Sequence, residues 1–171
     1  MPPGKDRKKL YEFLVKTCAD GLYRYAYRLC GRHDTAQDLV QEAFSEAWKS
    51  LGSLRDESKA RSWLYSILRY RNAHLQRDRK RSREIAHDPQ DMDELVDEDS
   101  RREVLDRIAD HDSVQKALEQ LDGRFKEPFL MVFLEGLTCA EAAEQLGVPL
   151  GTVLSRIHRA RAVMKDYLNR K

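Results

Sequence analysis

The sequence predicts an all-α protein in which two small helical domains are joined by an acidic linker, the C-terminal one containing a helix-turn-helix. Apolar residues recur at helical spacing along most of the chain, and no strand-like alternation continues for long. Gly and Pro, which interrupt helices, number only 8 and 5 among 171 residues. Apolar residues make up 41% of the chain, which is enough to build small helical cores.

Charge is arranged in three blocks that the formal net charge of +2 conceals. Residues 69–83 contain seven Arg or Lys and one acid, and residues 154–171 contain six and one. Between them, residues 86–112 contain eleven acids and three Arg. Two basic blocks around an acidic one predict two nucleic-acid contacts and a solvated connector. Ordinary solvated helix faces are the alternative that charge alone leaves open.

The first domain is predicted over residues 1–84. Its first helix is expected to break near Asp20–Gly21 and to stop at Gly31, since glycine is the usual residue after a helix end. Asp34 and Gln37 have the spacing of a capping box for the second helix. The expected helices cover about 8–32, 34–50 and 59–82, with a loop over 51–58.

The linker and the start of the next helix are assigned to residues 85–111, because this stretch is acidic, contains Pro89 and is too poor in apolar residues to form a core. The second domain is predicted over residues 112–171. Its expected helices cover about 101–121, 124–135, 138–146 and 150–168.

The strongest motif is LTCAEAAEQLGVPLGTVLSRIHRARAVM, residues 137–164. Thr138 and Glu141 have the spacing of a capping box, and Gly147 suits a turn with positive φ. Ala143 is small enough for two helices to cross closely, while Val148 and Val153 are placed to anchor the turn and the second helix. This pattern predicts a helix-turn-helix.

The last helix divides into two faces at 100° per residue. Its apolar stripe is predicted to be buried and comprises Val153, Ile157, Ala160 and Met164. The rest of its surface is suited to DNA, because Arg can bridge guanine O6 and N7, while Ser and Thr bind bases or phosphates. An amphipathic terminal helix with solvated arginines is the alternative. The candidate DNA-binding residues are Thr152, Ser155, Arg156 and Arg159, with His158 and Arg161 on the flanks.

The segment DLVQEAFSEAW, residues 38–48, places a large aromatic among polar residues. Its apolar arc contains Leu39, Ala43 and Ala47, whereas Trp48 falls outside that arc, beside Asp38. Since exposed aromatics are common anchors at interfaces, Trp48 predicts a docking surface for a partner protein. Coverage of Trp48 by the N-terminal helix is the alternative.

The helix that follows carries a polar and basic stripe with one aromatic at its start. Such a stripe suits single-stranded or melting DNA, because bases stack on aromatic rings and cations follow the backbone. A solvated basic face is the alternative. His74 is expected to be a packed or capping histidine rather than a metal ligand. The stripe comprises Tyr65, Arg69, Asn72, Gln76, Arg79 and Arg83.

Composition and motifs also indicate what the chain lacks. Cys18, Cys30 and Cys139 form neither CxxC pairs nor metal-spaced clusters, so we expect a reducing compartment and no zinc or disulfide framework. No apolar run approaches the roughly 20 residues of a membrane span. The basic N-terminus over residues 1–9 lacks the apolar stretch of a signal peptide, so we expect a cytoplasmic protein. Without a phosphate loop or a nucleophile–base pair, we expect no enzyme, no cofactor and no small-molecule substrate.

Taken together, DLVQEAFSEAW, SWLYSILRYRN with its basic tail, and GTVLSRIHRARAVM resemble the extracytoplasmic-function group of bacterial sigma factors over about residues 10–168. The resemblance implies that the terminal helix reads the promoter −35 element, while its domain sits on the β flap of core RNA polymerase. It implies that the loop 51–59 and the next helix open and read the −10 element. Many members are held inactive by an anti-sigma protein. The residues that the resemblance places on the β′ clamp helices of polymerase are Asp38, Gln41, Glu42 and Trp48.

The chain departs from the family pattern at three positions. Tyr70 stands where Asn is frequent, His74 where Asp is frequent, and Leu154 where Lys or Arg is frequent. These departures bear on which promoter sequence is read. Two other classes of protein fit parts of the pattern: a helix-turn-helix regulator that never engages polymerase, and an all-helical adaptor that binds only proteins.

Overall fold

In a computed structural model, the chain divides into two compact units with their boundary between His87 and Asp88. The structure describes residues 5–81 and 111–170. All of the linker assigned to residues 85–111, except His111 at its end, therefore lies outside the described residues. Each unit is described by itself.

The first unit is built from three helices that pack against one another: α1 (Lys5–Cys30), α2 (His33–Ser50) and α3 (Ala60–Arg81). Short 3-10 turns at Leu51–Ser53 and Glu57–Lys59 join α2 to α3. The core is formed by the apolar stripes that the three helices turn inward. Its buried members include Leu14, Leu22, Ala26, Leu39, Ala43, Ala47, Leu64 and Leu68.

The predicted break at Asp20–Gly21 is wrong, because α1 is continuous over its 26 residues. Gly21 has a different role in the fold. A Cβ atom at this position would stand 2.7 Å from the hydroxyl oxygen of Tyr65 on α3. Since real Cβ contacts are not that close, the glycine permits the close approach of α3 rather than ending a helix.

The predicted capping box of Asp34 and Gln37 is also absent. Helix α2 begins at His33, and its N-cap residue, Arg32, makes no side-chain cap. The start of α2 is held instead by aromatic contacts with α1. The His33 ring stacks on Tyr27 at 4.4 Å between centroids, and its Nδ1 lies 2.7 Å from the Tyr23 hydroxyl.

Over residues 111–170, the second unit has four helices: α4 (His111–Glu119), α5 (Gly123–Leu130), α6 (Cys139–Leu146) and α7 (Leu150–Asn169). Asp122 caps α5 by accepting a hydrogen bond from the Arg124 amide. The helix predicted over 124–135 changes character partway, because α5 contains Pro128 and passes into a π-helical segment at Met131–Glu135. Gly136 ends that segment with a φ of 86°.

Helices α6 and α7 form the helix-turn-helix, and its predicted capping box is confirmed. The Glu141 amide donates to the Thr138 hydroxyl at 3.2 Å, and the Thr138 amide donates to the Glu141 carboxylate at 2.8 Å. Gly147 has the predicted positive φ, 65°, and lets the Val148 amide turn back to the Ala143 carbonyl. Free backbone groups at both the start and the end of α6 thus find hydrogen-bond partners within the motif.

The core of the second unit fixes the angle at which α7 leaves the turn. Ala142 and Ala143 of α6 are buried against Val153 and Ile157 of α7, with Val148 packed at the edge. Small side chains on α6 allow this close crossing, as predicted. Within the described ranges, no helix is long and apolar enough to cross a membrane.

Candidate nucleic-acid and polymerase-binding surfaces

The recognition helix α7 buries the predicted apolar stripe: Val153, Ile157, Ala160 and Met164 are all inside the second unit. Among the candidate DNA-binding residues, His158 is exposed. Four others are partly exposed: Thr152, Arg156, Arg159 and Arg161.

Ser155 does not lie on the exposed face where the sequence placed it. The residue is buried, and its hydroxyl donates to the Thr152 carbonyl at 3.1 Å. Because this hydroxyl already has a hydrogen-bond partner within its own helix, we do not assign Ser155 to the DNA contact. Arg156 is also more enclosed than predicted, since its Nε atom is buried while the rest of the side chain is partly exposed.

Three of the six residues of the polar stripe predicted on α3 are not at the surface. Tyr65, Arg69 and Asn72 are only 2%, 5% and 9% exposed, so they lie inside the first unit. The Tyr65 ring meets the Tyr25 ring edge-on at 5.2 Å, and the Arg61 guanidinium covers it at 5.5 Å. The physical reason is that α3 packs against both α1 and α2, which requires a wider buried arc than a helix with one neighbour.

The outer face of α3 is displaced from the predicted one. Gln76 is exposed as predicted, but the exposed aromatic is Tyr70 at 59% rather than Tyr65. The Tyr70 ring contacts the exposed His74 edge-on, with centroids 4.6 Å apart. His74 is thus paired with an aromatic at the surface. The side chain of Arg79 and all of Arg83 lie outside the described residues.

On α2, the predicted polymerase-binding residues share one outer face. Asp38, Gln41 and Glu42 are exposed. Trp48 is 44% exposed, so part of the indole is covered and the rest is open to solvent. The covering contacts come from the N-terminal helix α1.

Two residues that the sequence did not single out hold Trp48 in place. The Tyr11 ring meets the indole edge-on at 5.0 Å, and the Arg7 guanidinium lies over it at 5.3 Å. Arg7 also donates to the backbone carbonyls of Trp48 and Lys49 at the end of α2. A cation at a helix C-terminus is favourable, so this contact both caps α2 and orients the indole.

A groove of about 750 Å³ lies between α2 and α3, next to this outer face. Arg71 and Glu46 form an ion pair across it at 2.7 Å. Because each side chain is about a third exposed, the pair adds little stability to the contact between the two helices. Other lining residues include Glu42, Ile67 and Tyr70.

The connection between α2 and α3 is organised by Asp56. Its carboxylate accepts hydrogen bonds from the Ser58 hydroxyl at 2.6 Å and the Ser58 amide at 3.0 Å. These bonds, helped by the charge of Lys59, lower the pKa of Asp56 below its ordinary value, so the carboxylate is charged at neutral pH. Leu51 anchors the start of this segment in the core.

Neither unit presents a metal site or a disulfide among its described residues. No group of three or more His, Cys, Asp or Glu side chains is placed to hold a metal ion in those ranges. Cys18 is buried, and Cys30 and Cys139 are partly buried free thiols.

Comparison with known proteins identifies the two units separately. Residues 14–84 match the family model of sigma-70 region 2, and residues 111–164 match that of sigma-70 region 4. The first match contains the helices of the first unit from Leu14 onward. The second contains the helix-turn-helix.

Relatives match across both units. The ECF RNA polymerase sigma factor SigE of Mycolicibacterium smegmatis is 37% identical over 92% of this chain, which spans 61% of that protein's length. SigL of Mycobacterium tuberculosis, also an ECF RNA polymerase sigma factor, is 31% identical over 81% of this chain and 77% of its own length.

The fold matches a solved sigma factor as well. RpoE of Bartonella quintana, crystallised with the anti-sigma factor NepR, aligns with a TM-score of 0.73 and 24% identity, covering 93% of this chain and 96% of that one. Two region matches in the right order, and a relative above 30% identity along most of its length, agree with the helix-turn-helix and the all-α architecture. The chain therefore belongs to the ECF group of RNA polymerase sigma factors.

Proposed function

We propose that this sigma factor docks on core RNA polymerase through the outer face of α2 and on promoter −35 DNA through α7. The observation that carries the proposal is that one chain combines two different surfaces. One is an acidic face with a half-exposed, oriented tryptophan, and the other is a capped helix-turn-helix whose recognition helix carries partly exposed arginines. The first suits a protein partner and the second suits DNA.

The polymerase contact is assigned to Asp38, Gln41, Glu42 and Trp48. Carboxylates at this face complement a basic partner surface, which speeds association and selects the orientation of docking. The indole supplies the apolar anchor. The β′ clamp helices are the partner that we propose for this face, and the β flap is the one that we propose for the second unit.

Because Tyr65, Arg69 and Asn72 are buried, they are not among the residues that we assign to the contact with the −10 element. We assign it to the loop over 51–59 and to the outer face of α3, which presents Tyr70 and Gln76. Tyr70 is exposed enough for a base to stack on it, and stacking does not require a particular base. Arg79 and Arg83 remain part of the proposal as cations of the basic stretch over residues 69–83.

Contacts of α7 with the −35 element are assigned to Thr152, Arg156, His158, Arg159 and Arg161. We further propose that an anti-sigma protein restrains the chain in the cytoplasm, where polymerase acts, by covering one or both of these surfaces. Binding of such a protein would keep the DNA and polymerase faces from their partners without changing either fold.

A transcription assay tests the proposed function. Core polymerase with and without the purified chain would be supplied with a library of random promoter sequences, and the transcribed templates would be sequenced. We expect transcripts that depend on the chain and share two elements. Salt-dependent DNA binding without any transcript would instead identify a simple helix-turn-helix regulator. Binding of proteins alone would identify an adaptor.

A further inference from the structure

We propose that Leu150 and Leu154 of the recognition helix read the 5-methyl group of thymine in the upstream promoter element. The inference deepens the proposed function and rests on it, since it names the bases that α7 contacts. It makes this edge of the helix a specificity-determining one, separate from Arg156 and Arg159.

The two leucines form one edge of α7 at the end that begins the helix. Leu150 is the first residue of α7 and is 46% exposed, and Leu154 is partly exposed. At 100° per residue, positions four apart lie 40° from each other, so both side chains project in nearly the same direction. The same rule continues the edge into the exposed His158, which is polar.

The fold makes little use of these side chains. The core of the helix-turn-helix is formed by the adjoining stripe of Val153 and Ile157, and neither leucine is buried in it. A single exposed leucine is ordinary, but two adjacent ones at the start of a recognition helix form an apolar surface where base edges are met.

The neighbouring Gly151 lets this surface come close to a ligand. A Cβ atom at Gly151 would meet no heavy atom within 4 Å, so nothing in the domain requires the position to be glycine. The first turn of α7 therefore carries no side chain beside the leucines at this position, which allows a close approach to a ligand.

The chemistry of the major groove selects the ligand. Leucine neither donates nor accepts hydrogen bonds, so it gains nothing from phosphates or from the polar edges of bases. The thymine methyl is the apolar group that the major groove displays, and it is absent from the minor groove. Burying a methyl group against leucine is worth about 0.8 kcal/mol, which corresponds to about a fourfold difference in affinity.

Deoxyuridine provides the test, because it lacks only the 5-methyl group and keeps the hydrogen bonds of thymine. The holoenzyme would be bound to a promoter found in the transcription assay, with each thymine of the upstream element replaced in turn by deoxyuridine. We expect about a fourfold loss of affinity at one or two positions and none at the others. This experiment uses the unaltered protein, so it does not depend on whether a variant folds.

The variants Leu150→Ala and Leu154→Ala link the loss to the helix. At least one of them should remove the difference between thymine and deoxyuridine at the sensitive position. Val163→Ala, which truncates another exposed side chain of α7, should leave that difference intact. The inference is overturned by an upstream element without thymine, by equal binding of all deoxyuridine templates, or by a methyl effect that persists in both leucine variants. Each of these results leaves transcription itself intact, whereas failure of the proposed function would abolish it.

Discussion

Gly21 of α1 and the Tyr65 hydroxyl of α3 approach so closely that a methyl group does not fit between them. The separation from a Cβ at residue 21 to the hydroxyl oxygen would be 2.7 Å. Tyr65 has little freedom to withdraw, because its ring is buried and packed edge-on against Tyr25. This contact sets how closely the first and third helices pack.

Gly21→Ala is therefore expected to destabilise the first unit although alanine favours helices. Overpacking costs about 1–3 kcal/mol, and the gain in helix propensity returns at most about 1 kcal/mol. Urea denaturation followed by circular dichroism would measure the difference. Gly52→Ala is the matched control, since a Cβ there meets nothing within 4 Å. The substitution should cost less in a Tyr65→Phe background. An equal cost in both backgrounds would show that the hydroxyl is not the obstacle.

Trp48→Ala is expected to weaken binding to core polymerase about tenfold or more while the chain stays folded, as for a central interface anchor. The end of α2 should remain tied to α1, because Arg7 bonds to the backbone of Trp48 rather than to its side chain. Fluorescence anisotropy with purified core polymerase would measure the affinity. Phe13→Ala, at an exposed aromatic of α1, serves as the control and should not change it. Unchanged affinity for Trp48→Ala with an intact spectrum would remove the docking role.

On α3, Arg69→Ala should affect stability, whereas Gln76→Ala should affect promoter opening. Arg69 is buried, so its loss should lower the free energy of unfolding by about 1–3 kcal/mol. Gln76 is exposed, so its loss should leave stability within about 0.5 kcal/mol and reduce opening of the −10 element. Urea denaturation and permanganate footprinting of the open promoter measure the two effects. A stable Arg69→Ala variant that fails only in promoter opening would instead support a direct role of Arg69 in DNA binding, as the sequence predicts.

For α7, Arg156→Ala and Arg159→Ala should separate base reading from phosphate binding. An arginine that bridges a guanine should cost about 1–3 kcal/mol when removed and relax the preference at one base pair. An arginine that holds phosphate should weaken all sequences equally and flatten the salt dependence, which is the behaviour expected of Arg161. Binding of the holoenzyme to single-base promoter variants at two salt concentrations distinguishes them. If neither variant changes selectivity, α7 does not read bases through these arginines.

The two units are expected to fold separately, with protease-accessible chain between Glu84 and Ser100. The composition of that stretch is acidic and poor in apolar residues, and the division into units falls within it. Limited proteolysis followed by mass spectrometry should find the first cut there and two resistant helical fragments. A first cut within the helix-turn-helix, or one cooperative fragment, would contradict this.

The sequence by itself determined the features that depend on neighbours within one or two helical turns. The Thr138–Glu141 capping box, the positive φ of Gly147 and the buried stripe through Val153 and Ile157 are all local, so spacing alone predicts them. The family resemblance rests on longer sequence motifs, and the comparison with relatives confirms it. The outer placement of Asp38, Gln41 and Glu42 also follows from the period of a single helix.

Only the tertiary structure decided which sides of α3 are inside. Packing against both α1 and α2 widened its buried arc to include Tyr65 and Arg69 and left Tyr70 at the surface. Local sequence predicts a helix break at Gly21, whereas the structural reason for this glycine is Tyr65, which lies on another helix far along the chain. Likewise, Arg7 and Tyr11 of α1 contact Trp48, and residue spacing within α2 cannot predict contacts with another helix. Periodicity identifies an apolar face, but the number and position of neighbouring helices determine how far burial extends beyond it.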